Sequence, residues 1–530
     1  MNHSQEMPLK DFRQTIRKAS WARLLFVVTA TLLIFIAALL SHLRFDWTED
    51  RIYTLSESTL SVLNGLEEPI LIRAYVTEGL PQPYGRLNRF LEDILLSYHD
   101  VGGGNVGFEV VDPADDPNVA ASLAAMQIPK IQVQTIEDDQ AQVKQGYLAV
   151  VIEYLDSRET IPVVQSEEGF EYLLTRKIKK LTGKGRARVG VVSGFGATDL
   201  YELRKLTKLV ADDYELVDVE PEKGVVDPDI TTLIVAGLDQ PPSDAFRYHI
   251  DQFRMRGGSL LLLAGNVKPM LSAGFQVEPV ATHALEWIRE DLDIAIEPGL
   301  IMDRRATRVT VNRQRGGFAF SSLVDYPFLP SVTSLEKGHA VTDGLEGVSV
   351  PFSSPLTWVG SKTLAGQELM RSSNRSGLQS GPPFDVDPLV STDSRFAGVT
   401  ERSLVLALAI EGESVSNFKT VPDGVTGTKH LVKGMHSRMI AVGSASFLDD
   451  EFMSGGNLIA TLNMIDWLSG DEALISLRSR GVTQRPIEEL SSAGRAFFKG
   501  LWMFGLPMFM ALLGVWRWWM LKRQAAFFET

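Results

Sequence analysis

An apolar run near the start of the chain constrains it most: Leu24 to Leu43 carries no Asp, Glu, Lys or Arg. As a helix, those 20 residues would extend ~30 Å at ~1.5 Å each, the thickness of a bilayer's hydrocarbon core. A cleaved secretion signal has a shorter apolar core, ~7–15 residues, and ends in small side chains at positions −3 and −1. Here Leu39 and Ser41 would fill those positions, a poor match. The run therefore reads as an uncleaved anchor spanning 24–43.

A second apolar run covers 501–521. Its one charge, Arg517, lies close enough to the end to reach headgroups by snorkelling. Trp502 at one end and Trp516, Trp518 and Trp519 at the other resemble the aromatic belts of membrane interfaces, and Lys522 and Arg523 follow. Lys10, Arg13, Arg17, Lys18 and Arg23 precede the first run, whereas Asp46, Glu49 and Asp50 outnumber Arg44 and Arg51 after it. By the positive-inside rule, 1–23 and 522–530 are cytoplasmic tails, and residues 44 to about 498 lie outside, in the periplasm of a Gram-negative cell. A bacterial cytoplasmic (inner) membrane protein with two spans is the localisation this predicts. ATP is then out of reach of the bulk of the chain.

The intervening region is long enough for about three domains of ~150 residues. A net charge of −14 opposes nucleic-acid binding, since phosphate affinity comes from clustered Lys and Arg. The chain has no cysteine, which removes disulfides, thiolate nucleophiles, Fe–S clusters and Cys-ligated zinc.

Between 44 and 183, strand patterns at 68–77, 106–111, 131–135, 147–155 and 160–164 alternate with helical apolar spacing at 86–99, 118–126 and 168–181. This alternation predicts a thioredoxin-like α/β domain, with Pro129 where that fold often has a cis proline. Without C-x-x-C it would be a scaffold only. From 184 to 475 the pattern is that of a doubly wound (flavodoxin/amidotransferase-like) α/β domain. Strands are predicted at 188–192, 214–219, 231–236, 259–263, 404–410 and 437–442, with helices at 199–211, 244–255 and 457–468. Gly257 and Gly258 close the helix ahead of 259–263. Residues 281–400 read as an insertion within this domain, with 372–394 a flexible loop, and 476–500 as the linker to the second span.

No catalytic, cofactor-binding or metal-ligating residue is predicted. Gly102, Gly104 and Gly107 spell G-x-G-x-x-G but follow a helix and precede a strand, the reverse of a dinucleotide site, and read as a turn. There is no G-x-x-x-x-G-K-[ST]. Ser193, within Gly190-Val-Val-Ser-Gly-Phe-Gly196, lacks the G-x-S-x-G spacing of a nucleophile elbow, although the segment could offer amides to an anion at a helix start. His430 and His436 stand six residues apart in a loop-like stretch. Asp449, Asp450 and Glu451 form an acidic run that reads as a solvated loop or helix start, with a cation site as the alternative. Trp47, Trp287, Trp358 and Trp467 are available for sugar stacking in a periplasmic glycan- or polysaccharide-binding protein not tied to a transporter, although most of them read as core.

Asp46-Trp-Thr-Glu-Asp-Arg-Ile-Tyr-Thr-Leu-Ser56, directly after the first anchor, resembles the juxtamembrane opening of the gliding-motility-type auxiliary component of ABC transport systems. Ile161-Pro-Val-Val164, Phe170-Glu-Tyr-Leu-Leu-Thr175 and Lys180-Leu-Thr182 follow in the order of that family. So do Asp251–Leu262 with its helix-Gly-Gly-strand element, Ala441–Phe447, Gly456-Asn457, Asn463–Leu468, and then Arg478, Arg480, Arg485 and Pro486. The chain departs from the family at Gly265-Asn266, where Asp-Pro is frequent, and at Gly443-Ser444, where Gly-Asp is frequent. The resemblance implies an accessory, non-enzymatic role beside an ABC-2-type permease and a separate ABC ATPase, with no cofactor. It supplies no catalytic residue to carry over.

Overall fold

A computed structural model describes residues 26–33, 54–82, 84–114, 116–137, 140–167, 169–183, 186–270, 275–315, 318–360, 363–388, 396–426, 429–470, 475 and 492–526. The chain divides into two compact units, 1–482 and 483–530.

In the first unit the strands are Ile70–Val76 (β1), Val106–Val111 (β2), Ile131–Glu137 (β3), Gln140–Gly146 (β4), Leu148–Tyr154 (β5) and Ser157–Ile161 (β6). Four of them form a sheet in the order β2-β1-β5-β6, with β1 parallel to β2 and antiparallel to β5, and β6 antiparallel to β5. β3 and β4 form a separate hairpin. β5 is buried on both faces, so its side chains divide by parity. Leu148, Val150 and Ile152 pack with Leu91, Leu95 and Tyr98 of helix Tyr84–Gly102 and with Leu174 and Ile178 of helix Phe170–Thr182. Tyr147, Ala149 and Val151 pack with Leu123 of helix Pro117–Ala125. Asp116 caps that last helix through the amide of Asn118. Among the described residues the cis peptide bonds precede Pro382 and Pro383, so Pro129 is not the cis proline anticipated.

The larger sheet begins with Ala187–Val192 (β7), Tyr214–Val219 (β8), Ile230–Ala236 (β9) and Ser259–Leu263 (β10). Short strands follow: Val267–Pro269 (β11), Val277–Pro279 (β12), Ile294–Ile296 (β13), Leu300–Asp303 (β14), Ala306–Arg315 (β15), Phe318–Val332 (β16), Ser334–Leu335 (β17), Val348–Ser349 (β18), Leu356–Trp358 (β19), Leu364–Arg371 (β20) and Ser376–Gln379 (β21). Val405–Val415 (β22) and Lys433–Val442 (β23) complete the set. The eight-stranded sheet runs β17-β20-β22-β23-β10-β9-β7-β8. The five strands from β23 to β8 are parallel, and β17, β20 and β22 add an antiparallel edge.

Parallel strands covered on both faces must be apolar throughout, and β10, Ser-Leu-Leu-Leu-Leu, is buried at every position. Leu261 and Leu263 face a cluster with Leu206 of helix Arg204–Val210 and with Ala460, Met464 and Ile465 of helix Gly456–Leu468. Leu260 and Leu262 face Phe246, Ile250 and Phe253 of helix Asp244–Met255 and Trp287 and Ile288 of helix Thr282–Leu292. Each such Leu contributes about 1.5–3 kcal/mol by leaving water.

Three readings of the sequence change. The helix anticipated over 199–211 is a 3-10 turn at Leu200–Glu202 followed by a short helix, Arg204–Val210. The loop anticipated over 372–394 contains β21, paired with β14, while its end, 389–395, lies outside the described residues. The stretch 281–400 adds β17 and β20 to the edge of the main sheet.

The second unit is dominated by helix Ser492–Ala526, within which Phe498–Trp519 is long and apolar enough to cross a membrane, with mean hydropathy 1.5. Trp502, Trp516, Trp518 and Trp519 are exposed on it. Of the first anticipated span, residues 26–33 are helical with exposed apolar side chains, and the rest of 24–43 lies outside the described residues.

Candidate functional site

The strand order places a crevice in the larger sheet. From β7 the chain moves to β8 on one side, then returns past β7 to β9 and continues to β10 and β23 on the other. Where successive connections diverge, the carboxyl ends of β7 and β9 open a gap that flanking loops can line.

The loop after β7 is built for this position. Ser193 N–H donates to Val219 O (2.9 Å), and Gly194, Phe195 and Gly196 all take positive φ (95°, 50° and 75°). The reversed chain crosses the end of β9: Thr198 N–H donates to Ala236 O (2.9 Å), and the amides of Asp239 and Gln240 donate to Phe195 O (3.2 Å each). A Cβ at Gly196 would stand 1.7 Å from the Asp239 carboxylate, so only glycine fits. Lys268, at β11, donates to Asp239 Oδ2 (2.8 Å) and to Gly196 O, joining the ends of β7, β9 and β10.

The opposite wall follows β23. Ser354 N–H donates to Gly443 O (2.6 Å) and Ser444 Oγ to Pro351 O. Asp450 accepts from Lys205 N–H (2.8 Å) and Arg204 Nε (3.2 Å). These walls border a cavity of about 730 Å³, whose lining includes Asp199, Tyr201, Glu202 and Arg204 on one side, Lys268, and Asp449–Glu451 on the other. Within it burial pushes the Asp449 carboxyl up to about 6; Glu451 and Glu202 act in the same direction, and Ser446 and Lys268 oppose them.

The structure thus brings together two segments that looked unrelated in the sequence, the turn that follows the Gly-rich loop after β7 and the Asp449–Glu451 run. Ser193 is no nucleophile on this geometry: it is buried, and its Oγ faces Val219 O at 3.5 Å. Lys268 and Asp239 escaped sequence reasoning, although each lies just beyond the carboxyl end of a predicted parallel strand, where α/β sheets place functional groups.

The other candidates disperse. His430 stacks on Tyr248 (5.9 Å between rings), and His436 lies within β23. Gly102, Gly104 and Gly107 form the anticipated helix-to-strand turn. Trp287 and Trp467 are buried, the latter beneath the Arg438 guanidinium (5.0 Å), so neither is presented to a sugar. Trp358 packs over Gly366, and Trp47 lies outside the described residues. Among the described residues no group of three or more His, Asp or Glu stands together so as to hold a metal ion.

Asn266 donates from its backbone and its side chain to Ser354 Oγ (2.9 Å each), and Ser354 N–H is the donor to Gly443 O.

Comparison with known families is decisive for this domain. The model of the family described as "ABC-type uncharacterized transport system" matches residues 186–469, which contain the whole eight-stranded sheet and the cavity. The chain belongs to that family. A second model, a domain of unknown function, matches residues 49–153 within the four-stranded sheet region. An uncharacterized protein of Borreliella burgdorferi is 21% identical over 465 residues, covering 86% of this chain and 88% of that protein. Among solved structures, the mmIFT52 N-terminal domain is similar at a TM-score of 0.31 and 11% identity, covering 53% of this chain and 97% of that one. A putative ThuA-like protein from Parabacteroides merdae is similar at 0.27 and 10%, covering 58% and 94%.

Proposed function

We propose that this member of the ABC-type uncharacterized transport system family is a non-catalytic auxiliary subunit of an ABC-type transport or export complex. It is anchored in the bacterial cytoplasmic membrane by spans at 24–43 and 501–521, with both termini in the cytoplasm and the bulk outside. A thioredoxin-like scaffold (44–183) and a doubly wound domain (184–475) contact substrate or envelope partners. The anchors pack beside an ABC-2-type permease, and a separate ABC ATPase supplies the energy.

One observation carries the reading: a chain without G-x-x-x-x-G-K-[ST] belongs, over its larger sheet domain, to a transport-system family. A P-loop is what cradles nucleotide phosphates in ABC ATPases, so the work must come from a partner. The exposed apolar helix Phe498–Trp519 supports membrane attachment.

Affinity purification of the full chain in mild detergent tests the reading. A multi-span permease and an ABC ATPase should co-purify, and protease added to spheroplasts should cleave within 54–470. Repeated recovery of the protein alone, or a region inaccessible to external protease, would overturn it.

A further inference from the structure

We propose that the cavity at the carboxyl ends of β7, β9 and β23 binds a ligand through an ammonium or guanidinium group. Its place and size are those of a small-molecule site: it lies at the pivot of the strand order and holds about 730 Å³. The bonds described above, from Lys268 to Gly196 O and Asp239 and from Ser354 N–H to Gly443 O, hold the strand ends beside it in place.

The lining selects the ligand's charge. Two cations line the cavity, and both are engaged: Arg204 with Asp450, and Lys268 with Asp239 and the Gly196 carbonyl. Asp199 and Glu202 cap the Leu200–Glu202 turn and Ser446 holds Asp449, which leaves Glu451 to face an incoming group. An anion would meet this surplus of carboxylate unscreened. A cation would meet complementary charge in a recess where water screens it less than on an open surface.

An aromatic side chain bonded to one of these carboxylates, Asp199, points to the same chemistry. Tyr201 lines the cavity and is 73% exposed, although large aromatic residues usually bury themselves. An exposed aromatic face beside carboxylates is the arrangement that recognises alkylammonium and guanidinium groups by cation–π attraction. The charged group would come from a small amine or from a basic side chain of a partner protein. The inference goes beyond the auxiliary role and holds whether or not a permease co-purifies.

The test is calorimetric titration of the full chain in detergent with putrescine, butane-1,4-diol, a lysine-containing tripeptide, inorganic phosphate and Mg²⁺. Saturable binding is expected for putrescine, the tripeptide or both, with none for the diol or phosphate. Preference for putrescine would identify a metabolite-sized source and preference for the tripeptide a partner's side chain; either upholds the proposal. Tyr201→Leu and Glu451→Gln, both solvent-facing changes, should each weaken binding about tenfold while leaving the unfolding midpoint unchanged. Equal binding of diol and diamine, amine binding indifferent to both substitutions, no binding of any amine, or Mg²⁺ displacing the amine would overturn it.

Discussion

Arg176 holds Asp213 with both arms of its guanidinium: Nε donates to Oδ1 at 2.7 Å and Nη2 lies 2.5 Å from Oδ2. The arginine is on helix Phe170–Thr182, which packs under the four-stranded sheet, and the aspartate immediately precedes β8, the outer strand of the eight-stranded sheet. A planar fork on a carboxylate fixes orientation as well as distance. Arg176→Ala strands a mostly buried carboxylate and should cost about 2–3 kcal/mol. Arg176→Lys keeps the charge but loses one arm and should cost roughly half that. Urea unfolding of the full chain in detergent measures both, and equal losses in the two variants would refute the bidentate role.

The same helix secures the start of the first α/β region. Glu171 Oε1 accepts from the backbone amide of Ser56 and from the Thr59 hydroxyl, each at 2.7 Å, while Thr59 and Tyr98 share Thr175. Ser56 in turn caps helix Glu57–Asn64. Glu171→Ala leaves two buried donors without this acceptor, a loss of about 2 kcal/mol, whereas Glu171→Gln retains an acceptor and should lose less. Hydrogen exchange should accelerate first at residues 57–64, before the remainder of the domain. Uniform acceleration would mean that Glu171 acts on global stability alone.

What the sequence makes legible here follows from period and length. Of the parallel strands β10 is a continuous apolar run, and 214–219, 244–255 and 259–263 coincide with their elements to the residue. Between 281 and 400 the strands are often two to four residues long. So short a strand cannot establish an alternation, and pairings such as Leu300–Asp303 with Ser376–Gln379 join segments more than seventy residues apart. The cavity was half legible for the same reason. The Gly-rich loop after β7 and the acidic run 449–451 each stand out, but it is sheet order that sets the turn after that loop across the cavity from the run, and Lys268 carries no motif.

Gly443 is required by contact. A Cβ there would lie 2.1 Å from Ser354 O, while Gly443 O accepts from Ser354 N–H at 2.6 Å, so the chains cannot separate without losing that bond. Gly443→Ala should destabilise by about 2–3 kcal/mol through overpacking. Gly104→Ala, where a Cβ meets nothing within 4 Å, is the control and should change stability by less than about 1 kcal/mol. Thermal and urea midpoints of the two variants make the comparison, and a Gly443→Ala protein as stable as the control would show that the β23 end is loosely packed.

Asp449 sets the pH dependence of the cavity. Its folded-state pKa of about 6 lies above the ordinary value of 3.8, chiefly through burial, with Glu451 and Glu202 adding to the effect. The folded protein therefore holds this proton more tightly than the unfolded chain does. Stability contributed by the protonated carboxyl is fully present below pH 3.8 and is lost as pH rises to about 6. Asp449→Asn imitates the protonated form at every pH. The variant should unfold at the same urea concentration as the parent near pH 4 and at a higher one above pH 6, the difference developing between those values. A constant offset from pH 4 to 8 would mean that the substitution acts through packing and that Asp449 titrates as an ordinary carboxylate.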